Sequence, residues 1–381
     1  MAGIGQYVRR LIEALLPLLA DHESLWTFDG LSSRKVDAAD ANALGGFDAL
    51  DSGKSRSARA LAHNAYIFMQ RFDAPRHLAR NLKLRRFKVL SGGYDLFHAV
   101  NFVPPGPIAK PVLPLIYDLS HLRFPGTHPR ERVEWLEQRL PSVLDQPFIQ
   151  TISEFSKSEI VELLNIRPER IHVTHPGVAA HFNARNAATD PTHLARVGLS
   201  PGRYFLVVAT RERRKNVRTV AEAFAALPQP IRTEVPLLWV GRSGWDQLDL
   251  PAATARAIEE KQIRMSGNLS DDALAALYRH AALFLMPSVY EGFGMPVAEA
   301  LACGAPVAVS DIPVFREAAG GFARYIDPLD VAGWRQAMLD ALEMPRPDAS
   351  RQAQVADWVG QFSWRANALS TLALYRRLAG Q

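Results

Sequence analysis

The stretch Tyr290-Glu291-Gly292-Phe293-Gly294-Met295-Pro296-Val297-Ala298-Glu299-Ala300 places two carboxylates eight residues apart around a double-glycine turn. Before it runs ALFLMPS (282–288), an apolar segment whose length suits a buried strand. After it, Pro296 suits the first turn of a helix, and VAEALACG (297–304) closes on a glycine stop. The turn therefore joins the carboxyl end of a strand to a helix. Open α/β sheets bind ligands there, and free backbone N–H groups point outward. Glu291 precedes the turn and Glu299 falls about one turn into the helix, so the two can flank one ligand. One would take two hydroxyls of a sugar while the other faces a second polar group. The plain alternative has Glu299 complementing the helix dipole and Glu291 solvated. It leaves a double glycine followed by proline, a costly backbone device, without a purpose.

A second cluster lies upstream. In VVATRERRKNVRTVAEAF (207–224) a strand gives way to Arg211, Glu212, Arg213, Arg214 and Lys215, and Asn216 stands at the cap of an alanine-rich helix. Cations crowded at a helix N-terminus oppose the dipole and repel one another. A phosphate or diphosphate would resolve that conflict; a solvated basic turn, partly neutralised by Glu212, is the alternative. Taken together, the two clusters describe a nucleotide-sugar site: cations for a diphosphate, a carboxylate for ribose hydroxyls and a glycine turn that admits a sugar.

The rest of the chain fits a two-domain α/β protein. Its 381 residues can bury two cores, and a composition of 48% hydrophobic and 22% charged residues is that of a globular protein. Short apolar strands alternate with helical stretches, which implies mainly parallel sheets. Strands are expected at 95–100, 111–119, 148–153 and 170–176, with helices at 130–144 and 154–165. The second half reads strand 204–209, helix 216–226, strand 236–241, helix 252–260, strand 262–266, helix 271–280, strand 282–287, helix 296–303 and strand 305–310. The small, polar stretch from Phe182 to Gly202 marks a boundary. Residues 1–182 then form an N-terminal domain, 183–360 a C-terminal nucleotide-sugar-binding domain, and 361–381 a terminal helix. A parallel α/β domain normally opens with a strand, whereas MAGIGQYVRRL begins at the glycine loop, so the first strand is expected to be missing or replaced. Ile4, Val8, Leu11, Ile12, Leu15 and Leu19 would line one face of the first helix.

One cysteine excludes a disulfide framework and a cysteine-based metal site, and points to a reducing cytoplasm. No apolar run reaches the roughly 20 residues a spanning helix needs. A net charge of +5 is modest for this length and gives no ground for nucleic-acid binding. Charge is concentrated at 76–88, where Arg76, Arg80, Lys83, Arg85, Arg86 and Lys88 interleave with apolar residues. That pattern fits either an anionic membrane surface or a solvated helix face.

The segments PSVYEGFGMPVAEALACGAPVAVSDIPVFREAAG, LSDDALAALYRHAALFLMPS and ERRKN closely resemble the retaining glycosyltransferases of family 4, which have the GT-B fold of two Rossmann-like domains facing a cleft. The resemblance extends to GIGQYVRRLIEAL, DLFHAVNFVPP, LIYDLSHLRFPGTHP, TISEFSKSEIVELL and RIHVTHPGV, nearly the whole chain. It implies that Arg214 and Lys215 hold the donor diphosphate, that Glu299 takes the ribose hydroxyls and that Glu291 lies by the transferring sugar. The amides of Phe293, Gly294 and Met295 would hold sugar and phosphate, and the loop Gly3-Ile4-Gly5 would face the cleft. The final helix would return to the first domain. No metal or other cofactor is implied. The family often has His-Asp where this chain has Tyr117-Asp118; His98 and His121 lie nearby as further acceptor-side candidates. The resemblance implies hexose transfer, with a lean to GDP-mannose as donor, onto a lipid-linked glycan at the inner face of the cytoplasmic membrane. A nucleotide-sugar epimerase of the same fold and a non-catalytic nucleotide-binding protein are the alternatives.

Overall fold

The computed structural model describes residues 3–28, 33–37, 84–241 and 250–380. The first helix, Gly3–Leu15, buries Tyr7, Leu11, Ile12 and Leu15. A short antiparallel pair follows, β1 (Trp26–Phe28) with β2 (Ser33–Lys35). Four parallel strands then form one sheet in chain order: β3 (Phe97–Ala99), β4 (Val112–Ile116), β5 (Ile149–Thr151) and β6 (Ile171–Val173). The outer edge of β3 carries no strand among the described residues.

The second sheet holds β7 (Phe205–Val208), β8 (Leu237–Val240), β9 (Ile263–Ser266), β10 (Leu283–Met286), β11 (Val307–Ser310) and β12 (Arg324–Ile326), all parallel. Its spatial order is β12-β11-β10-β7-β8-β9, the doubly wound Rossmann order. Helices cover both faces, so the strands are buried on both sides and read as unbroken apolar runs, FLVV, LLWV and LFLM. The chain reverses direction across the sheet between β7 and β10. The basic turn leaves β7 and the glycine turn leaves β10, so both clusters open onto the crevice at this switch point.

Several expected elements take a different form. The helix at 130–144 breaks into Arg130–Arg139 and Pro141–Leu144, because Pro141 cannot continue a helix but suits the start of one. The polar stretch after Phe182 contains a helix, Asp190–Arg196, docked by a buried ion pair in which Arg279 donates to Asp190 at 2.6 and 2.8 Å. Gly3 and Gly5 lie in the first helical turn and not in a loop, since the helix is held by its apolar face. Of the basic segment, residues 76–83 lie outside the described residues. Residues 84–91 are helical, with Phe87 buried and Arg85, Arg86 and Lys88 exposed. Among the described residues no helix is long and apolar enough to cross a membrane.

The last helix, Trp364–Ala379, lies against the first helix and the first sheet. Asn367 Nδ2 donates to Tyr7 Oη at 3.0 Å and to the carbonyls of Thr174 and His175 at 3.0 and 2.8 Å, and Arg376 pairs with Glu23. A second seam joins the two sheets beside the glycine turn. The Gly292 carbonyl accepts from the Ser153 and Ser156 hydroxyls at 2.5 and 3.1 Å, and Leu119 N donates to Tyr290 Oη at 3.1 Å. Glu317 accepts from the backbone N–H groups of Glu154 and Phe155 at 2.7 and 3.0 Å, so a carboxylate from the second unit caps a helix of the first.

A Cβ at position 292 would stand 2.5 Å from the Tyr117 carbonyl oxygen and 3.2 Å from its carbon. Backbone cannot yield as a side chain can. Gly292→Ala is expected to cost about 1–3 kcal/mol, as overpacking does, seen as a lowered Tm in thermal unfolding; an unchanged Tm would show that the two sheets are not pressed together there.

Candidate active site

The basic turn and the glycine turn meet in one ion cluster. Lys215 Nζ lies 2.6 and 2.8 Å from the two Glu291 carboxylate oxygens. Arg214 donates to Glu291 at 3.3 Å, to Glu212 at 3.1 Å and to the Tyr290 carbonyl at 3.3 Å. Ser288 donates to Glu291 at 2.8 Å. Burial alone would raise the Glu291 carboxyl, but Lys215 and Arg214 outweigh it and hold the group below the usual carboxylate range. Lys215 is pushed below the ordinary lysine value by burial and by Arg214, against the pull of Glu291.

Asn216 does not cap by its side chain as expected. It sits at φ 50°, and Nδ2 donates to the carbonyls of Pro287 and Pro328 at 3.0 and 2.6 Å. It thereby ties the basic turn to the end of β10, where a backbone bond from Val289 N to the Arg214 carbonyl at 2.9 Å completes the attachment.

In the glycine turn, Gly294 adopts φ 97°, and a Cβ there would meet the Phe315 ring at 2.7 Å. Phe293 is buried with its ring centroid 5.7 Å from that of His175 and 5.1 Å from that of Phe362, so its side chain is an anchor and only its backbone can serve a ligand. The helix Met295–Ala302 begins here. Among the described residues no acceptor takes the N–H of Phe293, Gly294 or Met295, which leaves them to an anion or a hydroxyl. Glu299 stands on this helix and accepts from Tyr278 Oη at 3.2 Å. Burial raises its carboxyl to about 7, opposed by the Tyr278 bond.

The first unit faces the cluster with the segment after β4. Asp118 accepts from Ser120 N at 2.9 Å and Ser120 Oγ at 2.6 Å, and Arg214 and Lys215 both act on its charge. Tyr117 is turned away: its hydroxyl donates to the Val100 carbonyl at 2.9 Å and burial raises its pKa, so it offers no base. His98 is not brought to the cluster. Its Nδ1 is 2.6 Å from Tyr375 Oη on the last helix, and burial lowers it to about 3. His121 is buried against Phe102 and lowered by burial to about 4. Gly3 and Gly5 make no polar side-chain contact of their own, but the same helix sends Gln6, Arg9 and Arg10 to Asp271 at 3.4, 3.0 and 2.7 Å. Tyr278, Ser288, Asp271, Ser120 and His128 were not singled out from the sequence. Each joins the site through the tertiary fold, and no local pattern marks it. Among the described residues no group of three or more His, Cys, Asp or Glu side chains could hold a metal ion.

A doubly wound sheet with a cation pair and a glycine turn at its switch point, facing a second parallel sheet, is the layout of a GT-B protein. Residues 195–356 match the family described as glycosyl transferases group 1. The chain is 31% identical over 384 residues, 99% of its own length and 97% of the relative's, to the O-antigen chain mannosyltransferase B of Escherichia coli. It is 27% identical to the MMP alpha-(1->4)-mannosyltransferase of Mycolicibacterium hassiacum, over 78% of this chain and 75% of that one. Among solved structures, the sucrose-phosphate synthase of Thermosynechococcus elongatus superposes with a TM-score of 0.61 at 20% identity, covering 79% of this chain and 78% of that chain. The chain belongs to the group 1 glycosyltransferases, has the GT-B fold and is a glycosyltransferase enzyme.

Two outcomes follow from the electrostatics. The Glu299 pKa is raised from 4.5 to about 7, so its charge penalises the fold. The penalty is absent below the unfolded value, builds between the two values and is complete above the folded one. Glu299→Gln should therefore stabilise the protein by about 3 kcal/mol at pH 8 and by nothing at pH 4, measured as ΔTm at both pH values; equal shifts would contradict the assigned pKa. At the ion cluster, Lys215→Met alone should cost about 3 kcal/mol, whereas Lys215→Met with Glu291→Gln should cost less, since no carboxylate is then left short of a partner. A double-mutant cycle in urea checks this, and additivity would rule out the pairing.

Proposed function

We propose that the enzyme transfers a hexose, mannose from GDP-mannose, to a hydroxyl of a lipid-linked glycan with retention of the anomeric configuration. The observation that carries this reading is the Arg214–Lys215 pair held on Glu291 at the switch point, beside the amides of Phe293, Gly294 and Met295, which have no acceptor among the described residues. The mannosyltransferase names of both curated relatives support mannose.

In this reading residues 183–360 bind the donor, 1–182 the acceptor, and 361–381 cross back. Arg214 and Lys215 take the diphosphate, sharing Glu291 with it, and Glu299 takes the ribose diol in its ionised form. Glu291 lies by the sugar, and the turn amides hold sugar and phosphate. As the bond from the anomeric carbon to the phosphate oxygen breaks, negative charge grows on the diphosphate beside two fixed cations, where it is stabilised without reorganisation. The acceptor hydroxyl attacks from the same face, and its proton passes to the departing phosphate oxygen. The two cations supply the neutralisation, so the mechanism needs no metal. The acceptor places the enzyme at the inner face of the cytoplasmic membrane, with the exposed Arg85 and Lys88 on the side offered to anionic lipid.

Calorimetric titration with GDP, UDP and ADP tests the donor half. GDP is expected to bind, and Glu299→Ala or Lys215→Ala to weaken it at least about tenfold, or 1.4 kcal/mol. Preference for UDP would replace the GDP assignment. Indifference to both substitutions would remove the site.

A further inference from the structure

The segment after β4 contains a hydrogen-bond chain that the mechanism above leaves unused. Asp118 Oδ1 is 2.6 Å from Ser120 Oγ, which lies 2.9 Å from His128 Nε2. The chemistry of the three groups gives the chain a direction. Burial works to raise the Asp118 carboxyl, but Arg214, the Ser120 donors and Lys215 outweigh it and keep it below its ordinary value. Ionised, it can only accept. Ser120 is 3% exposed and has one hydroxyl proton, which goes to Asp118; its oxygen is then left to accept. His128 must therefore carry its hydrogen on Nε2 and keep a lone pair on Nδ1.

That lone pair is buried and finds no partner among the described residues, and the same is true of His121 Nε2 and Arg132 Nε. Buried polar atoms are nearly always paired with protein or with water, so three orphan nitrogens in one short stretch mark a place where water or a ligand hydroxyl is received. The stretch lies at the carboxyl end of β4, and the charges acting on His128 come from both sides of the crevice. Asp118 and Arg132 act from its own unit, Arg214 and Glu212 from the other. His128 and Arg132 in turn act on His121. Burial first, then Arg214, lowers His128, and burial lowers His121 to about 4, so both rings are neutral at pH 7. Arg132 and Asp118 balance. The subsite thus has no net charge and suits a neutral polyol better than an anion.

Resting on the transferase reading, we propose that His128 Nδ1 accepts the hydrogen of the nucleophilic hydroxyl of a neutral sugar acceptor, with Arg132 and His121 meeting the neighbouring hydroxyls. The acceptor oxygen bonds the anomeric carbon as the carbon–oxygen bond to the diphosphate breaks. The leaving electron pair stays on the diphosphate, and the hydroxyl proton goes to that departing oxygen. His128 orients the proton and gains none over the cycle. Ser120 is a positioning residue that fixes the tautomer.

The test uses the whole chain, with calorimetric GDP affinity as one readout. The other is transfer from GDP-mannose to octyl α-D-mannoside at saturating donor, where Glu299 titration no longer enters. His128→Ala is expected to lower transfer about 100-fold, the cost of a misoriented reacting group, while GDP affinity stays within about threefold. His128→Gln, whose amide oxygen can accept, should recover part of the loss and guards against a variant that fails to fold. Ser120→Ala should lower transfer about tenfold. The unmodified enzyme should lose transfer as pH falls through a value below 6.5, the ordinary histidine value, and His128→Gln should lack that limb. The proposal is overturned by full transfer in His128→Ala, by loss of GDP binding alongside transfer, or by an unmodified chain that binds GDP yet leaves the mannoside untouched. An unmodified chain that binds no nucleotide would instead defeat the transferase reading, before any variant is made.

Discussion

Burying Arg214 and Lys215 at the mouth of the second sheet is tolerable only because Glu291 and Glu212 lie against them. A lone ammonium or guanidinium taken out of water costs several kcal/mol, and a paired one recovers most of that only when hydrogen bonds saturate both partners. Here much of that is met: Lys215 reaches both Glu291 oxygens, Ser288 adds a third donor, and Arg214 spans two carboxylates and a carbonyl. The loops after β7 and β10 are therefore fixed relative to each other by charge as well as by the Asn216 side chain. In the proposed reading a diphosphate would meet cations already aimed and largely out of water, which is the condition under which fixed charges act on developing charge.

The remaining architecture keeps that cluster opposite a second wall. The Gly292 carbonyl lies between two serines of the other unit, and Glu317 caps a helix across the seam. The last helix ties the first helix to the first sheet through Asn367 and Tyr7. The seam sits next to the glycine turn, so the groups proposed to touch donor and acceptor are positioned by the same contacts.

Much of the second unit was legible in the sequence, because a parallel sheet covered on both faces leaves unbroken apolar strands such as FLVV and LFLM, each followed by a turn and an alanine-rich helix. The paired glutamates and the basic turn could be placed at strand ends for the same reason. What failed depended on partners far along the chain. Asn216 looked like a cap, yet its amide is claimed by carbonyls at Pro287 and Pro328. Gly3 and Gly5 looked like a loop, but Tyr7 and Leu11 packed under the last helix carry the helical conformation back over them. Histidines at 98, 121 and 128 are alike in sequence. Only the fold sends the first to Tyr375 and the third to Ser120.

The Tyr278–Glu299 contact has a consequence for the thermodynamics of binding. A carboxyl raised to about 7 is only partly ionised in neutral solution. Any diol that donates two hydrogens to it selects the charged form and expels the remaining proton fraction into the medium. If that diol is the ribose of a nucleotide, as proposed above, the heat of binding includes the ionisation heat of whichever buffer receives the proton, and affinity becomes coupled to proton concentration. On the donor assignment proposed above, the site would bind its ligand in exchange for a proton, with the stoichiometry set by how deeply one glutamate is buried.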